Sequence, residues 1–135
     1  MINKFSIFTD GGARGNPGPA AVSFIVYDQK GKILKKFCRR IGFTTNNVAE
    51  YNAVIEALKW VRTNLPKKSN IDFFLDSKLV VNQLNGYYKI KNAELRNLII
   101  KIRQYEKETE GQFYYHFIFR EKNKEADKLV KSCLA

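Results

Sequence analysis

Apolar residues along this chain fall in short runs whose period changes from one run to the next. The first, "NKFSIFTD", is β-prone and is followed by glycines, which predicts a strand ending at Asp10. "AAVSFIVYD" and "GKILKKFCRRIGF" come next with the turn-forming "DQKG" between them, the pattern of a hairpin. "TTNN" offers side-chain oxygens suited to capping, and "VAEYNAVIEALKWVRTNL" keeps a helical period until Pro66 stops it. "NIDFFLD" is a second apolar run that ends in an aspartate, Asp76, and "SKLVVNQLNG" reads as a short helix closed by Gly86. Beyond "YYKIKN" the pattern predicts a helix over 93–109, a strand "QFYYHFIF" and a last helix over 123–133. Three consecutive strands, then strands alternating with helices, predict an α/β fold with a five-stranded mixed sheet flanked by helices. No repeat, low-complexity stretch or linker divides the 135 residues, so a single domain over 1–135 is expected.

The same periodicity sorts the carboxylates. Residues three, four, seven, eight and eleven positions after Glu50 are Ala53, Val54, Ala57, Leu58 and Val61. Glu50 therefore sits in line with an apolar stripe at the first turn of its helix, where its charge needs a partner. Glu56 falls off that stripe and reads as a solvated surface charge. Asp10 and Asp76 each end an apolar strand, and in an open α/β sheet the groups just beyond the carboxyl ends of strands face the ligand crevice. Asp72 lies inside its strand and is the contrast. Three converging carboxylates repel unless a cation lies between them, and an all-oxygen ligand set favours a hard ion such as Mg²⁺ or Mn²⁺. Asp127 stands at the border of the stripe formed by Ala126, Leu129, Val130 and Cys133. It is either an ordinary first-turn aspartate favoured by the helix dipole or a fourth member of the set, and periodicity does not choose.

Charge narrows the partners. With 24 Lys plus Arg against 13 Asp plus Glu, the net charge of +11 points to a polyanion, nucleic acid foremost. No apolar run reaches the roughly 18 to 20 residues of a membrane span, and the start shows no signal-peptide pattern, so a soluble, cytoplasmic protein is expected. Cys38 and Cys133 lack CxxC spacing and His116 is the one histidine, which argues against zinc and for two buried, reduced thiols. The loop "GGARGNPG" lacks both the Walker ending and the GxGxxG fingerprint. Its Pro17-Gly18 pair is good turn chemistry; alternatively, its glycines let the backbone approach a sugar-phosphate chain beside Asp10.

Five blocks, "FTDGGARGNPGPAAVSFIVYD", "TTNNVAEYNAVIEAL", "FFLDSKLVVNQLNG", "KNAELRNL" and "REKNKEADKLV", occur in the order and approximate spacing of type 1 ribonuclease H. The chain resembles that family over nearly its whole length. The resemblance implies hydrolysis of the RNA strand of an RNA/DNA hybrid, with four metal-binding carboxylates at Asp10, Glu50, Asp76 and Asp127. It is the resemblance alone that brings Asp127 into the set. It also implies two Mg²⁺ (or Mn²⁺) ions about 3.5 to 4 Å apart that activate water and stabilise the departing 3′ oxygen, leaving 5′-phosphate and 3′-hydroxyl ends. RNA would be selected through its 2′-hydroxyls. Gly11, Asn16, Asn46, Asn47 and Glu50 are then expected along the RNA strand, and Thr45 and Asn92 at a DNA phosphate.

Two departures from the family pattern stand out. The basic protrusion that many members carry is reduced to "GYYKIKN", so Tyr87, Tyr88, Lys89 and Lys91 either take a share of hybrid contact or simply pack and solvate. The loop "FREKNKEAD" has no histidine before the last carboxylate, and Arg120 is the charged donor expected to take part of that role, while His116 reads as structural. No separate hybrid-binding domain is expected before Asp10, and a monomer without an obligate protein partner is expected. A noncatalytic nucleic-acid-binding domain and a nuclease for DNA or double-stranded RNA are the rival readings, and activity on double-stranded RNA as a side reaction is compatible with the hybrid-cleaving ribonuclease H reading.

Overall fold

A computed structural model describes residues 3–135. Three strands, β1 (Lys4–Ala13), β2 (Gly18–Tyr27) and β3 (Ile33–Thr44), lead into the helix α1 (Asn46–Asn64) and the strand β4 (Asn70–Leu75). Then come α2 (Lys78–Leu84), α3 (Ala93–Thr109), β5 (Gln112–Phe117), a single 3₁₀ turn at Arg120–Lys122, and α4 (Lys124–Leu134). The sheet order is β3-β2-β1-β4-β5, antiparallel from β3 to β1 and parallel from β1 through β4 to β5. This is the mixed α/β sheet that the run pattern predicts. No helix among the described residues is long and apolar enough to cross a membrane.

Alternation along β2 explains the layering. Ala20 and Val22 pack with Ala49 and Ala53 of α1, whereas Ala21 packs with Val130 and Leu134 of α4. Successive side chains of a strand point to opposite faces, so α1 and α4 lie on opposite sides of the sheet. Small residues at these positions let both helices come close. α1 is the central helix: Val48, Tyr51, Val54, Leu58 and Val61 are buried among the sheet and α3. Its start is fixed by Thr45, whose hydroxyl accepts from Val48 N at 3.3 Å. Gly11 sets how near β1 lies to this helix. A Cβ there would come within 2.3 Å of the Ala49 carbonyl group, so only glycine fits.

Three expectations are corrected. β1 continues to Ala13 instead of stopping at Asp10, because Gly11, Gly12 and Ala13 pair with Val22, Ala21 and Ala20, leaving a short turn of 14–17. The cysteines are not free thiols: Cys38 of β3 and Cys133 of α4 form a disulfide, with Cα atoms 6.3 Å apart. Side chains 95 positions apart meet because α4 folds back across β2 onto the edge strand. Glu56 is not a free surface charge, since β3 brings Arg39 onto it and Lys59 adds a contact at 3.7 Å.

Candidate active site

A cleft of about 530 Å³ opens where β1 and β4 end beside the start of α1. Asp10, Glu50, Asp76 and Asp127 all line it, together with Gly11, Asn46 and Arg120. Each arrives by a different local rule. Asp10 lies opposite Ser23 in the β1–β2 ladder, Asp76 is the first residue after β4, and Glu50 stands in the first turns of α1. One oxygen each from Asp10, Glu50 and Asp76 lies within 4.8 Å of the other two. Asp127 is outside that close set. It projects from the first turn of α4, and Lys131 one turn later holds its Oδ2 at 2.9 Å.

Water is scarce here. Asp10 and Glu50 are each 6% exposed, and the Gly11 N–H donates to Glu50 Oε1 at 3.4 Å. Burial, reinforced by the charges of Asp76 and Asp127, pushes Asp10 up to about 7, against pulls from Glu50 and the Gly11 N–H. Burial also holds Glu50 well above the carboxylate range, with the charges of Asp10 and Asp76 adding to it. Glu50 Oε2 is buried without a hydrogen-bond partner among the described residues. A buried acceptor left open at the meeting point of three carboxylates is what a bound cation satisfies. The donor set, oxygen only, fits a hard divalent ion.

A family described as "Reverse transcriptase-like" matches residues 8–133. The bifunctional protein Rv2228c of Mycobacterium tuberculosis is 33% identical over 133 residues, which cover 97% of this chain and 35% of that protein. This chain thus spans about a third of the length of the first curated relatives it matches. The crystal structure of LC11-RNase H1, from compost by a metagenomic approach, in complex with RNA/DNA hybrid is 40% identical with a TM-score of 0.90, over 95% of this chain and 94% of that one. RNase H1 from the archaeon Halobacterium salinarum is 32% identical with a TM-score of 0.91, over 97% of each chain. The chain belongs to the type 1 ribonuclease H family.

Within this ribonuclease H fold the other expected residues divide into two groups. Asn46 Oδ1 accepts from Ala13 N at 2.9 Å, and Asn16 Oδ1 accepts from Asn46 N at 2.9 Å. Asn16 and Asn46 therefore stitch the glycine-rich turn to the start of α1, next to Gly11 and the carboxylates. Capping falls to Thr45, so Asn46 is free for this contact; Asn47 follows it outside the residues lining the cleft. Asn92 is also outside the cleft. It caps α3, accepting from Leu95 N at 3.0 Å, just after the exposed Tyr87, Tyr88, Lys89 and Lys91. Arg120 opens the 3₁₀ turn and reaches the cleft. His116 does not: its Nε2 pairs with Asp72 Oδ1 at 2.7 Å, and its ring stacks on Phe74.

Sequence reasoning missed two residues. Lys131 is four positions after Asp127, a spacing that by itself announces the ion pair. Asn123 was read only as the start of the last helix, yet its side chain turns inward and donates to Asp76 Oδ2 at 3.1 Å.

Proposed function

We propose that this chain is a metal-dependent endoribonuclease that hydrolyses the RNA strand of RNA/DNA hybrids and leaves 5′-phosphate and 3′-hydroxyl ends. The observation that carries the reading is the convergence of the buried Asp10 and Glu50 with the half-buried Asp76, with Glu50 Oε2 left without a partner among the described residues. LC11-RNase H1, so similar in fold, is a complex with the same class of duplex. Asp10, Glu50 and Asp76 hold two Mg²⁺ or Mn²⁺ ions, and Asp127 joins as a fourth ligand when its carboxylate leaves Lys131. When bound, such ions lower the pKa of a water and stabilise charge on the departing oxygen. The chain's own work is to position the substrate. Asn16, Asn46, Asn47 and the Gly11 backbone follow the RNA strand, donating and accepting hydrogen bonds without adding charge. Thr45 and Asn92 meet a DNA phosphate, and Arg120 supplies a cation at the cleft mouth. The net charge of +11 draws in the duplex, while the acidic floor stays reserved for ions. The domain works as a monomer in this reading.

The test is cleavage with Mg²⁺ or Mn²⁺ of four end-labelled duplexes of one sequence: RNA/DNA, RNA/RNA, DNA/DNA and DNA with a single ribonucleotide. Cutting confined largely to the RNA strand of the hybrid, and abolished by Asp10→Asn while hybrid binding persists, is the expected result. An Asp10→Asn protein that cuts at the parental rate overturns the site. Binding without cutting by the parent overturns the activity and leaves a basic binding domain.

A further inference from the structure

Asn123 sits where three elements meet and is 1% exposed. Its Nδ2 donates to Thr9 O at 2.9 Å and to Asp76 Oδ2 at 3.1 Å. Its backbone carbonyl accepts from Asp127 N at 3.1 Å. Thr9 immediately precedes Asp10. One residue thus reaches the strand position beside the first carboxylate, the third carboxylate itself, and the helix turn that carries the fourth.

Helix capping does not explain this side chain. An asparagine at a helix start ordinarily turns its Oδ1 onto an N–H of the first turn. Here the side chain makes no such bond, and Oδ1 is buried without a partner among the described residues. An orphaned buried acceptor costs roughly 1–3 kcal/mol. The residue carries that cost while both amide protons are committed elsewhere, one to the Thr9 carbonyl within β1 and one to Asp76. Helix stability alone would favour the opposite rotation.

We propose that Asn123 is a positioning residue for the metal site, an inference that rests on the metal-dependent reading above. Its N–H fixes the rotation of the Asp76 carboxylate and ties it to the backbone beside Asp10, so that these two ligands keep one separation. A carboxylate held by a hydrogen bond meets an ion in a single orientation, and outer partners of this kind are typically worth about 10–100-fold in metal affinity or activity. Asn123 is 1% exposed and does not line the carboxylate cleft, so it acts through Asp76 and leaves hybrid affinity alone.

Asn123→Leu keeps the shape and removes both donors; Asn123→Ala removes them and leaves room for water. Each variant and the parent would be titrated with Mn²⁺ by calorimetry without substrate, assayed for kcat and KM on the hybrid, and melted in EDTA. The expected result is Mn²⁺ affinity and kcat lowered about 10–100-fold, KM within about twofold, and a cooperative melt. If Asn123→Leu does not fold, Asn123→Ala carries the same comparison. A cooperatively folded variant with Mn²⁺ affinity and kcat within twofold of the parent overturns the inference while leaving the metal reading intact. A parent that binds no Mn²⁺ overturns both.

Discussion

Breaking the bond between Cys38 and Cys133 tests how α4 is held. The helix buries few side chains, Ala126, Val130 and Leu134, and besides the disulfide it is tied by Ser23 Oγ donating to Ala126 O at 2.6 Å and Arg40 Nε donating to Cys133 O at 2.6 Å. The cross-link spans 95 of the chain's 135 positions. Restricting the unfolded chain over a loop of this length contributes about 4.7 kcal/mol in the chain-entropy treatment, and measured values for disulfides more often fall at about 2–4 kcal/mol. At roughly 2.1 cal/mol/K per residue of unfolding entropy, 135 residues give about 3.5 °C per kcal/mol. Reduction by a dithiol, or Cys38→Ser with Cys133→Ser, should therefore lower Tm by about 7–14 °C. The assay is a thermal melt in EDTA of the oxidised, reduced and double-serine proteins, with free thiols counted before each run. Reduced and double-serine proteins should melt together below the oxidised form. Equal Tm values for all three, with the bond confirmed in the oxidised sample, would refute the idea that the cross-link limits the unfolded chain.

Other outcomes follow from the site. Because Asp10 is raised from an ordinary 3.8 to about 7, and Glu50 moves the same way, the contribution these two protonated carboxyls make to the stability of the ion-free protein is fully present below pH 3.8 and is lost as pH rises through about 7. Saturating Mg²⁺ should consequently raise Tm more at pH 8 than at pH 5, and an equal rise at both would contradict a cluster that trades protons for ions. Gly11→Ala would place a Cβ 2.5 Å from Glu50 N, so it should cost about 3 kcal/mol by overpacking and displace Glu50. A melt and a cleavage rate equal to the parent's would show that β1 and α1 are not in such close contact. Arg120→Ala should lower turnover on the hybrid with little change in KM, and unchanged turnover removes Arg120 from the proposed mechanism.

Local chemistry carried much of this molecule in plain view. Helix α3 runs over the residues its period predicts, and Asp10, Glu50 and Asp76 could be singled out because each carboxylate either closes an apolar run or lies in line with an apolar stripe, although β1 itself continues past Asp10 to Ala13. Other features depended on distant partners. Glu56 was misread because its helix alone does not show that Arg39 of β3 lies over it. The two thiols were misread for the same reason: spacing along the chain says nothing about α4 returning to the sheet edge.

What the sequence determined by itself was the order of elements, the α/β class and the three carboxylates, Asp10 and Asp76 at the ends of apolar runs and Glu50 on an apolar helix stripe, since each follows from side-chain periods of two or 3.6 that neighbours on the chain already express. What only the tertiary structure decided was the company those groups keep. It turned Asn123 inward onto Asp76 and joined Cys38 to Cys133. Each of these depends on how α4 docks, through the alternating small residues of β2 and a handful of buried contacts, and docking is a property of surfaces brought together from opposite ends of the chain.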